Sequence, residues 1–403
     1  MKRDTSITVV PGGGVCSALG FRAGATAAGI KYEGRDDLAL LVSDVRCVAA
    51  GVFTRNVVKS AAVQVSHSHL MNGTAQAVIA NSGCANACTG AQGIADAEAM
   101  CSLAGKPLGL TTDDVLVAST GVVGTFIPME RVEAAIHSLR LSRDGGDKFA
   151  SAIMTTDTVR KEAAVTAKVG DRSFTIGAAA KGSGMIHPNM GTLLVFITTD
   201  AAVESAYLCD CLRRVVDRTL NMVSIDGDTS PSDTTVILAN GASGLDVFTA
   251  QNGALFEHAL DEVCREIAIS IASDGEGAGK LIEIRVTGAR SLTDARVVAR
   301  TISTSPLVKT AVHGADPNWG RVACAVGRSD AAVEPDRMTI LMNDVQVMLD
   351  GVPVCFDEDL LRASLEESPT LIEVDLGIGG YEATAWGCDL TKDYVTINAS
   401  YTT

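Results

Sequence analysis

The stretch "KGSGMIHPNMGT" (181–192) gathers three glycines and a proline ahead of a threonine, and an apolar run, Leu193 to Ile197, follows at once. Glycine permits backbone angles that other residues avoid and proline fixes one, so such a loop positions something. Thr192 is the residue there with chemistry to offer. Its hydroxyl is a poor nucleophile unaided, but cutting the Gly191–Thr192 bond frees an α-amine of pKa about 7.7 to 8.0 that can serve as the hydroxyl's own base. Gly191 suits a scissile position, because a residue without Cβ tolerates a strained peptide and lets Oγ reach its carbonyl. The plainer alternative is a buried strand that begins with threonine after a turn. His187 is a second candidate base, its plainer alternative being a loop histidine held by backbone groups.

Two further loops are rich in small residues, "NSGCANACTG" (81–90) and "ASTGVVGTFIPM" (118–129). Small side chains around Thr120 and Gly121 leave backbone N–H groups open, which is how an oxyanion hole is built; strand-to-helix loops share that composition for structural reasons alone. "DGEGAGKLI" (274–282) invites comparison with a phosphate-binding loop and fails it, since Asp274 and Leu281 stand where glycine and Ser or Thr are required. What remains is a helix-to-strand turn carrying Glu276, an anion between two glycines. The eleven cysteines run from Cys16 to Cys388 without a C-x-x-C pair or zinc-type histidine spacing, so they read as reduced, mostly buried side chains and no metal is expected.

The elements that must hold these loops belong to a mixed α/β chain. With 403 residues, 47% of them hydrophobic and 20% charged, the chain has material for a large core, and none of its apolar runs approaches the roughly 20 residues that span a bilayer. The start, "MKRDTSITVVPGGG", lacks the apolar segment of a secretory signal, and a cytoplasmic location is expected. A net charge of −15 without a Lys/Arg run argues against nucleic acid as a partner. Apolar periodicity predicts helices over 94–105, 130–140, 203–220, 254–271 and 294–302. Strand-like pairs are expected late: "MTILM" and "VQVML" around Asn343-Asp344, then "LIEVDLGIGGYEATAWGCDL" about a glycine-rich turn. The final "VTINASYTT" reads as β-prone.

Taken together, these segments resemble the glutamate N-acetyltransferase or ornithine acetyltransferase family of arginine biosynthesis. The resemblance rests on "GFRAGATAAGIK" (20–31), the Asn-Ala-x-Thr-Gly loop ending at Gly90, "STGVVG" (119–124), "IMTTDT" (153–158) and "KGSGMIHPNMGT". It continues through "SIDGDTSPSDT" (224–234), "DGEGAGK" (274–280), "DPNWGR" (316–321) and "NASYTT" (398–403). It implies an amino-terminal-nucleophile-like fold of mixed sheets sandwiched with helices and a smaller α+β C-terminal subdomain, with divisions at 1–191, 192–280 and 281–403. It also implies self-cleavage before Thr192, an α and a β chain in a heterotetramer of two of each, and acetyl transfer from N-acetylornithine to glutamate without a cofactor. Thr120 and Gly121 match the family's oxyanion pair, and Thr155, Lys181, Thr192, Glu276, Asn398 and Thr403 match its substrate contacts. Gly191 stands where alanine is common in the family. An amidohydrolase or aminopeptidase using the same threonine with water as acceptor is the rival reading.

Overall fold

The computed structural model describes residues 6–187 and 193–400. Gly191, Thr192 and Thr403 therefore lie outside the described residues. The expected α/β class is what the chain adopts, with two mixed sheets and helices against them. The first sheet takes β1 (Ile7–Val9), β2 (Phe21–Thr26), β3 (Leu38–Phe53), β4 (Thr74–Asn81), β5 (Val115–Ser119), β6 (Lys161–Val169), β7 (Arg172–Lys181) and β8 (Leu194–Thr199). A short strand, β9 (Val223–Ser224), leaves for the second sheet before β10 (Thr234–Ala239) returns to the first. Its order is β1-β6-β7-β8-β10-β3-β4-β5, with β2 paired to the first half of β3. The second sheet adds β11 (Leu281–Ala289), β12 (Thr339–Met342), β13 (Val345–Leu349), β14 (Val352–Pro353), β15 (Thr370–Asp375) and β16 (Tyr381–Cys388), in the order β14-β13-β12-β15-β11-β16-β9.

Strand β8 is buried at every position and lies between β7, antiparallel, and β10, parallel. That explains why "LVFITT" is apolar without alternation: both faces are covered. The β12–β13 hairpin forms where expected, because Asn343 and Asp344 both accept the positive φ that a two-residue turn demands (45° and 64°).

Between the sheets runs the longest helix, Ala250–Ser273, capped by the Thr249 hydroxyl, which accepts from the Asn252 N–H. It touches β6 and β7 of one sheet and β11 and β16 of the other. Phe256, Leu260, Val263, Cys264, Ile267 and Ile271, the stripe legible in the sequence, are all buried. At roughly 1.5 to 3 kcal/mol per large apolar side chain, this stripe is a major tie between the two sheets. Its last turn delivers Asp274 to Glu276 to the first sheet.

Two expectations are corrected. β15 and β16 do not form a hairpin: β11 lies between them, parallel to β15 and antiparallel to β16. The glycine-rich segment is thus a crossing over a strand end. The terminal stretch, expected to be β-prone, is a helix, Lys392–Ser400. The Thr391 hydroxyl donates to Gly277 O (2.7 Å) and accepts from Tyr394 N–H (3.2 Å), which turns the chain into a helix against the 274–280 loop; tertiary docking overrides β-propensity.

Candidate active site

A cavity of about 130 Å³ opens where β5 and β7 end and β8 and β10 begin. That is roughly ten times the space one water needs. Thr120, Gly121, Thr155, Lys181, Glu276 and Asn398, from five separate parts of the sequence, all line it, and so does Leu193, the first described residue after position 192.

Gly121 has φ +130°, and a Cβ there would lie 2.3 Å from the Gly83 carbonyl carbon, so glycine is required twice over. The two small-residue loops noted in the sequence meet at this contact. The N–H of Thr120 donates to Asn81 O (3.0 Å), whereas that of Gly121, which lines the cavity, donates to none of the described groups. The Thr120 hydroxyl accepts from Lys181 Nζ at 3.4 Å. An ammonium only donates, so the Thr120 O–H is free to point elsewhere. One backbone donor and one hydroxyl donor therefore remain for a developing oxyanion.

Lys181 is 7% exposed and makes no ion pair within 4 Å among the described residues. Burial pulls its pKa below the ordinary lysine value, against the upward pull of Asp157. Glu276, also 7% exposed, accepts a hydrogen bond from Asn398 Nδ2 (2.8 Å), and its backbone N–H donates to Ser183 O (2.7 Å). Gly184 lies so close that a Cβ would stand 2.4 Å from the Glu276 carboxylate. A cation and an anion thus line one cavity without satisfying each other, the arrangement a zwitterionic ligand needs.

The wall behind them is ionic. Asp157 accepts from Lys161 Nζ (2.7 Å), Gly182 N–H (2.7 Å) and Thr155 N–H (3.0 Å). Lys161 also reaches Asp274 at 2.5 Å, and Asp274 accepts from the Thr158 hydroxyl. Burial alone would raise the Asp157 carboxyl, but Lys181 and Lys161 together hold it down at about 2. None of Asp157, Lys161 and Asp274 was singled out from the sequence, although "IMTTDT" and "DGEGAGK" contain two of them. A buried ion pair leaves no periodic signal.

The 181–187 loop is pinned from below. Asp226 accepts from Met185 N–H (2.6 Å) and Ile186 N–H (2.9 Å), and the Thr229 hydroxyl donates to His187 O (2.8 Å). Arg300 Nη2 meets His187 Nε2 at 2.7 Å, so that nitrogen accepts and Nδ1–H donates to Ser224 Oγ (3.1 Å). Burial first, and then the Arg300 charge, lower the His187 pKa to about 4. His187 is thereby a neutral strut with both nitrogens occupied, held by side chains and not by the backbone groups expected, and it offers the cavity no base.

A model of the ArgJ family matches residues 22–403. The arginine biosynthesis bifunctional protein ArgJ of Symbiobacterium thermophilum is 50% identical over 397 residues, covering 97% of this chain and 99% of that one. Its counterpart from Dehalococcoides mccartyi is 46% identical over 403 residues, covering 99% and 100%. Among solved structures, a chain of the Bacillus halodurans protein of the same name is 42% identical with a TM-score of 0.50; it covers 52% of this chain and 98% of itself.

Proposed function

This chain belongs to the ArgJ family, and on that premise we propose that it transfers acetyl from N-acetylornithine to glutamate through an acetyl ester on Thr192, after cutting itself between Gly191 and Thr192. The observation that carries the reading is the cavity beside Leu193, where the open Gly121 N–H and the Thr120 hydroxyl share space with unpaired Lys181 and Glu276.

The α-amine of Thr192 takes the Oγ proton as Oγ attacks the acetyl carbonyl. Gly121 N–H and Thr120 O–H stabilise the tetrahedral oxyanion, an effect worth roughly 3 to 4 kcal/mol per donor. The proton passes to ornithine as it leaves. Glutamate then enters, its amine attacks the ester, and the second tetrahedral state uses the same two donors. Thr155, Lys181, Glu276, Asn398 and Thr403 hold the amino-acid ends, carboxylate toward cation and ammonium toward anion. The word bifunctional in the relatives' name fits a second donor, acetyl-CoA, for glutamate.

The half-length of the solved relative supports the cut: nearly all of that chain matches, yet it covers only about half of this one. On this reading residues 1–191 form the α chain, 192–280 the first part of the β chain and 281–403 its C-terminal subdomain, in a cytoplasmic heterotetramer of two of each. Intact-mass analysis after incubation with N-acetylornithine alone tests it. The expected result is two fragments, the second beginning at Thr192 and one acetyl group heavier. An uncut chain with full transfer activity would overturn the proposal.

A further inference from the structure

Asp233 precedes β10, is 2% exposed and lines the cavity. Its carboxyl Oδ2 is buried and finds no hydrogen-bond partner among the described residues. A buried polar atom left unpaired costs about 1 to 3 kcal/mol, and such atoms are few in folded proteins, so this one calls for an explanation. Its backbone is fixed from both sides. Asp233 O accepts from Thr54 N–H (3.0 Å), and the next residue's N–H, that of Thr234, donates to Leu193 O (2.9 Å). Thr234 pairs in parallel register with Leu194. The carboxyl therefore belongs to the residue beside Leu193, which follows position 192 directly in the chain.

We propose that Asp233 carries the proton that self-cleavage requires and afterwards positions the amine that the cut creates. The inference rests on the reading of Thr192 as the nucleophile. As Thr192 Oγ bonds to the Gly191 carbonyl carbon and the C–N bond breaks, the carboxyl gives its proton to the departing nitrogen and receives the proton that Oγ sheds. The carboxyl is restored, and an ester joins Gly191 to Thr192 Oγ. Water hydrolyses that ester, leaving the Gly191 carboxylate, the free hydroxyl and the amine. From then on Oδ2 accepts a hydrogen bond from the amine and turns its lone pair toward Oγ.

Burial supports this role, because it pushes the Asp233 carboxyl well above the usual range and so favours its protonated form, against the hydrogen bonds of Ser230 and Thr54. The charged groups sharing the cavity are Lys181 from the end of β7, Glu276 from the loop after the long helix, and Asp226 and Asp228 from the segment before β10. Of these, Lys181 opposes the upward shift.

The test is the rate of cutting in purified full-length chain, followed by intact mass. Asp233→Asn keeps the shape and cannot release a proton near neutrality, so cutting should slow by a hundredfold or more, in line with the roughly 10² to 10⁴ that proton transfer contributes. Its melting temperature should match that of uncut Thr192→Ala, and Asp233→Glu should restore measurable cutting. Cutting by Asp233→Asn within threefold of wild type overturns the proposal. Equal slowing in the Asn and Glu variants, with melting temperatures lowered together, also overturns it, because only packing would then be at stake. Thr192→Ala separates the two readings: if that variant cuts, the nucleophile assignment fails; if it stays whole while Asp233→Asn cuts normally, only the role of Asp233 fails.

Discussion

Lys161 opens β6 and Lys181 closes β7, one step apart in register, and both are buried. Lys161 is enclosed by two carboxylates, Asp157 at 2.7 Å and Asp274 at 2.5 Å. Lys181 has a threonine hydroxyl at 3.4 Å, and the nearby Asp157 is already engaged by Lys161. Burial disfavours an ammonium at either place. At the first the fold supplies counter-charges, and at the second it leaves the ammonium facing a cavity. The first lysine thus holds the strand ends together, while the second carries a charge whose partner has to arrive from outside.

Three experiments on the uncut Thr192→Ala chain, ordered by expected size, bear on that contrast. Lys161→Met removes the one cation in contact with both Asp157 and Asp274 among the described residues and should destabilise by about 3 to 5 kcal/mol; a loss below about 1 kcal/mol in denaturant unfolding would break the comparison. Acid should show the next largest effect. The Asp157 carboxyl is held at about 2 in the folded chain against an ordinary 3.8, so the stability it contributes is complete above pH 4 and is lost as pH falls through 2. The shift corresponds to about 2 kcal/mol. Melting curves between pH 5 and 2 should lose this increment in the Thr192→Ala chain and not when Asp157→Asn is added to it. Equal acid slopes in both would remove Asp157 from the account.

Lys181→Met should move stability less than Lys161→Met, by about 2 kcal/mol at most, since burial of its charge works against the fold and offsets its share in holding the Asp157 carboxyl down. The same change in the cleaved, otherwise wild-type enzyme should lower kcat/KM for acetyl transfer at least tenfold. Should Lys181→Met instead unfold the chain as Lys161→Met does, the two lysines would have the same structural role and the distinction would be lost.

Much of the architecture was legible because it is periodic. The stripe from Phe256 to Ile271 and the Asn343-Asp344 turn announce themselves in sequence, since each is fixed by its own neighbours. The β15–β16 separation was not, because the strand between them, β11, lies far upstream in the chain. Helix Lys392–Ser400 was missed for a related reason: Thr391 anchors it to Gly277 more than a hundred residues away. At the site, Thr120, Gly121 and Glu276 stood out by their small-residue surroundings, Thr155, Lys181 and Asn398 were named through family resemblance alone, and the cavity contains all six. Asp233 and Asp157 escaped notice because a carboxylate in a polar loop looks the same in sequence whether it faces water or is sealed from it.

Strand β8 makes one consequence of a cut plain. It is flanked by β7, from before position 191, and by β10, from after it, and β10 pairs in turn with β3 near the start of the chain. Two chains produced at that position would be woven through a single sheet instead of lying as separate bodies. An uncut chain refolds by a first-order process whose rate ignores concentration. The cut enzyme, once melted, could recover only through an encounter of two partial sheets, each with exposed strand edges, at micromolar dilution. Its durability would then be kinetic, guarded by the barrier to unfolding, and dilute solutions heated past that barrier would lose activity for good while the Thr192→Ala chain recovers on cooling.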